Sequence, residues 1–113
     1  QDVFSMDTTG YGRSTRPAQM NDPCNLSEAQ QAQFVPQLIP APCTPAYPHQ
    51  LTTIASDWHD IDTVVDYIRT LRHVDKINLV AWSLGGPRSG GYTAGHPDKV
   101  SKLVLLAPAY NPT

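Results

Sequence analysis

The stretch "AWSLGG", residues 81–86, follows the apolar run Ile77-Asn78-Leu79-Val80 and opens the glycine-rich segment "GGPRSGGYTAG" (85–95). A strand that runs into x-Ser-x-Gly and then into a helix must reverse sharply at the serine. This is the context of a nucleophile elbow, in which the serine is held in a strained backbone conformation with its hydroxyl above the sheet. Small residues are required where neighbouring backbone passes close. Ala81 lies two before Ser83, Gly85 two after, and Gly86 follows at once. Gly85, Gly86, Gly90, Gly91 and Gly95 each cost a helix about 1 kcal/mol relative to alanine. Close packing explains such a cost, and the spacings Gly86 to Gly90 and Gly91 to Gly95 line one helix face, letting it approach a sheet. Pro87 fits a first turn, where its missing donor has no partner to lose.

Upstream, Trp58, Ile61, Val64, Val65, Ile68 and Leu71 recur at spacings of three and four, which predicts a helix over 54–73. Asp57, Asp60, Asp62 and Asp66 take much of the other face, most of them near the positive helix start. Arg69, Arg72 and His73 sit at its negative end. Strands are predicted at 3–7, 76–82 and 101–108, with the elbow and its helix at 83–96. Strands alternating with helices, the later two strands almost continuously apolar, read as α/β: part of a doubly wound parallel sheet with helices on both faces. Residues 15–52 hold seven of the eleven prolines and both cysteines, and read as an irregular insertion. Within it "SEAQQAQF" (27–34) suits a short helix capped by Ser27.

The totals exclude several classes. A chain of 113 residues is one domain at most, and a net charge of −2 without basic runs gives no reason to expect nucleic acid. No apolar run is long enough to span a bilayer. The start is not Met and the last strand stops close to Thr113, so both ends read as cut. Cys24 and Cys43 form an even count, and Asn25-Leu26-Ser27 is a glycosylation sequon. Together they lean towards a secreted protein; two free thiols and a chance tripeptide fit the same residues.

Four segments, in order, resemble the α/β-hydrolase superfamily. "AWSLGG" looks like its elbow, and "MDTTGYGRS" (6–14) resembles the Asp-x-x-Gly-x-Gly-x-Ser turn after an earlier strand. The helix at 54–73 sits where the family has the helix before the nucleophile strand. "YTAGHPDKVSKLVLLAP" (92–108) is similar to the end of the nucleophile helix, a His-Pro turn and the next strand. The resemblance implies that Ser83 is the catalytic nucleophile and that Leu84 N–H helps form the oxyanion hole. A serine, rather than the aspartate of related dehalogenases and epoxide hydrolases, implies acyl transfer. The first elbow glycine is replaced by Ala81. The family order is serine, acid, histidine. His96 and Asp98 stand in the wrong order beside Pro97, so His96 reads as structural. The acid and histidine are expected beyond Thr113, with the second oxyanion donor before Gln1, leaving the segment inactive alone.

Asp7 and Ser14 read as turn residues. His49 and His59 lack partners at metal-ligand spacing, and no cofactor motif occurs. Trp82 and Leu84 flank the serine and pack. The expected partners are a small-molecule acyl substrate and the remainder of the hydrolase chain. The alternative is a non-catalytic α/β-hydrolase-fold binding protein; peptidase, thioesterase and acyltransferase chemistries share the same elbow.

Overall fold

The computed structural model describes residues 2–47 and 49–109. The chain divides into two compact units: residues 9–52, and residues 1–8 together with 53–113.

The larger unit is built on one βαβ arrangement. A helix, α2 (Ile54–Arg72), leads into strand β1 (Ile77–Trp82). Helix α3 (Gly85–Gly95) connects it to strand β2 (Val100–Leu106). The strands pair in parallel, with Leu79 beside Leu103, Val80 beside Val104 and Trp82 beside Leu106. From α2 onward the elements follow the expected helix, strand, helix, strand sequence, with the bounds trimmed for local reasons. Thr53 and Ser56 close a reciprocal capping box at the start of α2, and His73, at φ 53°, ends it in the left-handed region. β2 stops where Ala107 turns to φ 43° and Pro108 offers no ladder donor. His96 caps α3 just before Pro97.

Ile61 and Val65 of α2, Tyr92 of α3 and Val100 of β2 form the core, with Met6, Trp58, Ile77 and Leu79 packed against it. Both long helices therefore cover the sheet face carrying Ile77 and Leu79. The opposite face presents Val80, Trp82, Val104 and Leu106, all exposed among the described residues. The expected strand at 3–7 does not form. A strand exists through its ladder, and among the described residues β1 and β2 pair only with each other. The segment is held by side chains instead. Asp2 pairs with Arg72, whose guanidinium lies 5.6 Å from the Phe4 ring centre, and Met6 reaches the core.

The smaller unit is irregular, as its prolines dictate, with two 3₁₀ turns (Ala18–Asn21, Pro23–Asn25) and one helical turn, α1 (Glu28–Gln31). Ser27 does cap that turn, in a capping box with Gln30. Cys24 and Cys43 are bonded, closing a 19-residue separation. Gln31, only 2% exposed, is the hub. Its Nε2 donates to the carbonyls of Cys24, Leu26 and Cys43, and its Oε1 accepts from the Cys43 N–H. The Asn25 side chain likewise ties Gln19 to Tyr47, donating to the Gln19 carbonyl and accepting from the Tyr47 N–H.

Candidate active site

Ser83 stands at the carboxyl end of β1, where ligands of open parallel sheets gather. Its φ is 55°, a region that L-residues other than glycine avoid unless their surroundings impose it. The imposition is visible in three hydrogen bonds. Ser83 N–H donates to the Leu106 carbonyl (3.1 Å), and the Ser83 carbonyl accepts from Gly86 N–H (2.9 Å) and Ala109 N–H (2.8 Å). The turn is thus fastened to its own helix and to the chain leaving β2. The residue itself is exposed, as are Trp82 and Leu84. Leu84, expected to pack, is 60% exposed and occupies the N-cap position of α3. No side chain caps that helix and its first turn holds no acidic residue, so its positive dipole end lies beside Ser83.

The glycines divide in two. A Cβ on Gly85 would lie 3.1 Å from the Ala81 Cβ, and one on Gly86 would lie 2.6 Å from the Pro108 Cβ. A Cβ on Gly91 would enter the Trp58 indole, 2.6 Å from Cε2. Gly90 and Gly95 have nothing within 4 Å. The spaced pairs therefore do not form one sheet-facing stripe. Gly86 admits the chain after β2, and Gly91 admits an indole from α2.

That indole belongs to a grip which periodicity alone did not show. Trp58 Nε1 donates to the Pro87 carbonyl (3.3 Å), and Arg88 Nε donates to Asp57 Oδ2 (2.6 Å). Asp57 is only 5% exposed, and its Oδ1 is buried without a hydrogen-bond partner. The expectation that Asp57 lies on the helix face opposite the apolar one is corrected by this burial. A signal was present: Asp57, Ile61 and Val65 stand four apart, on one stripe.

At the far end of α3, His96 lies about 16 Å from the elbow, given 11 residues at 1.5 Å each. Its ring stacks on Tyr92 and its Nδ1 is 3.0 Å from the Tyr92 carbonyl, while Nε2 is 3.8 Å from Asp62. Lys99 Nζ sits between Asp62 (2.8 Å) and Asp66 (3.0 Å) and holds both carboxyls below the usual carboxylate range. The same contacts raise the Lys99 ammonium. Burial, then the bond its hydroxyl donates to Asp62, pushes the Tyr92 phenol up. This is an ion network that ties α2 to the end of α3, and His96 belongs to it. Among the described residues no imidazole or carboxylate hydrogen-bonds the Ser83 hydroxyl, and no cluster of three His, Cys, Asp or Glu could hold a metal. Asp7 and Asp98 are exposed, as are His49 and His59, and Ser14 N–H closes a turn on the Tyr11 carbonyl. No helix among the described residues is long and apolar enough to cross a membrane.

Comparison with known proteins bears on the family and the fold. The chain is 50% identical over 46 residues to a poly(3-hydroxyalkanoate) polymerase subunit PhaC from Allochromatium vinosum, covering 41% of this chain and 13% of that protein. It is 41% identical over 46 residues to the corresponding subunit from Thiocystis violacea, with the same coverage. The match thus spans a small part of the relatives' length. No solved structure matches. The model of the alpha/beta hydrolase fold matches residues 1–113, and the chain belongs to that family.

Proposed function

We propose that this chain is the nucleophile-bearing segment of a serine hydrolase that acts on an ester or related acyl bond. One observation carries the reading: Ser83, at φ 55°, is pinned between the end of β1 and the uncapped start of α3. Ser83 Oγ adds to the substrate carbonyl, and a histidine from residues outside this segment takes its proton. The Leu84 N–H, at the positive helix end, stabilises the oxyanion. The carbonyl then re-forms and the alcohol or thiol leaves with a proton, giving an acyl-Ser83 that water cleaves. Among the described residues no base hydrogen-bonds Ser83, which supports the reading that the segment alone does not turn over.

The relatives named as polymerases favour a second reading at the same residue. An acyl-Ser83 attacked by the hydroxyl of another hydroxyacyl chain, instead of water, would elongate that chain. The Cys24–Cys43 bond supports export to an oxidising compartment.

The test is fluorophosphonate labelling of the parent protein with peptide mapping. An adduct on Ser83, abolished in a folded Ser83→Ala variant, is expected. Turnover by Ser83→Ala would remove the nucleophile assignment, and a folded parent that takes no adduct would favour a binding protein.

A further inference from the structure

α3 is a poor helix by itself. It carries five glycines and a proline in 11 residues and has no capping side chain. α2 is a 19-residue helix with a reciprocal capping box at its start. Asp57 and Trp58, in the first two turns of α2, meet the first two turns of α3 at three places: the Pro87 carbonyl, the Arg88 side chain and the position a Gly91 Cβ would take. Pro87 and Arg88 stand four and five residues after Ser83. Asp57 is the costly member of this contact. It shares a stripe with Ile61 and Val65, is buried almost completely, and leaves one oxygen without a hydrogen bond. An apolar side chain there would serve stability better, because a buried ion pair repays its desolvation only with excellent geometry. What the pair does supply is direction. Arg88 Nε meets one carboxylate oxygen at 2.6 Å, which fixes the rotation of α3 about its axis.

We infer that Asp57, acting through Arg88 and assisted by Trp58, is a positioning residue that sets the rotation of α3 and hence the presentation of Ser83 Oγ and Leu84 N–H. The inference rests on the proposed role of Ser83 for its catalytic consequence, and on geometry alone for its structural one.

The experiment uses the full chain and reads two quantities: the ¹H–¹⁵N positions of the Leu84, Gly85 and Gly86 amides, and the rate of Ser83 labelling by a fluorophosphonate. The variants are Arg88→Met, Asp57→Ala, their combination and Asp57→Asn. The double variant leaves neither charge buried without its partner, which protects its folding. We expect it to move the elbow amides while leaving those of Asn78 and Leu79 in place, and to slow labelling roughly 10- to 100-fold, the range for misplacing a reacting group by about 1 Å. Asp57→Asn keeps the shape and the acceptor, and should restore most of both. Lys99→Met, which removes the network at the far end of α3, should disturb neither readout. Unmoved elbow amides in the folded double variant, or equal movement in Lys99→Met, would overturn the inference. A wild-type protein that never labels would instead remove the proposed role of Ser83, while the amide positions still decide whether Asp57 positions the turn.

Discussion

The same substitution one residue apart in α3 should change stability in opposite directions. Gly90→Ala adds a methyl where nothing lies within 4 Å, so only the propensity gain of up to about 1 kcal/mol applies. Gly91→Ala gains as much from propensity, but its methyl would sit 2.6 Å from Trp58 Cε2 and 2.8 Å from Nε1. The indole cannot swing away freely, because Nε1 is bonded to the Pro87 carbonyl. Overpacking costs about 1–3 kcal/mol, and losing the indole bond about 0.5–1.5 kcal/mol more. Against the propensity gain, Gly91→Ala should be destabilised by about 0.5–3.5 kcal/mol. At a slope of about 1–3 kcal/mol per molar urea, the two variants should differ in unfolding midpoint by roughly 0.5 M or more. Urea titration followed by far-ultraviolet circular dichroism reads this directly. Equal midpoints for the two variants would mean that α3 does not press on Trp58, and the grip at the start of α2 would fall with it.

The Lys99 network predicts the pH dependence. Because the Asp62 and Asp66 carboxyls are lowered from 3.8, their contribution is complete above that value and is lost as pH falls through their folded values. Lys99 is raised from 10.5, so its contribution is complete below that pH and is lost as pH rises through the folded value. Lys99→Met should therefore flatten the loss of stability below about pH 4, measured as urea midpoint against pH; an unchanged acid limb would refute the network. In the smaller unit, Gln31→Leu removes the acceptor of the half-buried Cys43 N–H and three carbonyl contacts, at about 0.5–1.5 kcal/mol per hydrogen bond lost. Amide exchange at Cys43 should accelerate in that variant with the disulfide intact, and unchanged exchange would show that the disulfide alone protects it.

Where reading by sequence succeeded, the information was local. The apolar spacing of Trp58, Ile61 and Val65 specified α2, and the run ahead of Ser83 specified β1. The small residues after Ser83 specified a crowded turn, and Gly85 and Gly86 are crowded as they require. His96 was legible as structural because Pro97 ends its helix. The failures have a different origin. Residues 3–7 have the composition of a strand, but a strand needs a neighbour, and composition carries no information about that neighbour. Gly90 and Gly91 are indistinguishable as letters, yet only Gly91 faces an indole supplied from 33 positions earlier. Asp57 reads from spacing as lying off the apolar face of α2, yet it is buried. Its partner Arg88 lies 31 residues away. The residue types of Cys24 and Cys43 leave their pairing undecided; the fold brings their Cα atoms 5.2 Å apart, with Gln31 bridging the same two arms.

The sequence by itself therefore determined the succession of elements from α2 onward, the class of fold and the place of the sharp turn, because periodicity and backbone sterics act over a few residues. Tertiary structure alone decided which charges are buried, which glycines are indispensable and what holds the turn. The ion pair of Asp57, the crowding of Gly86 and Gly91 and the bonds from Ser83 to Leu106 and Ala109 each depend on a group brought close by folding from far along the chain, and the energy of such a contact is set by distance and burial, which residue types do not encode.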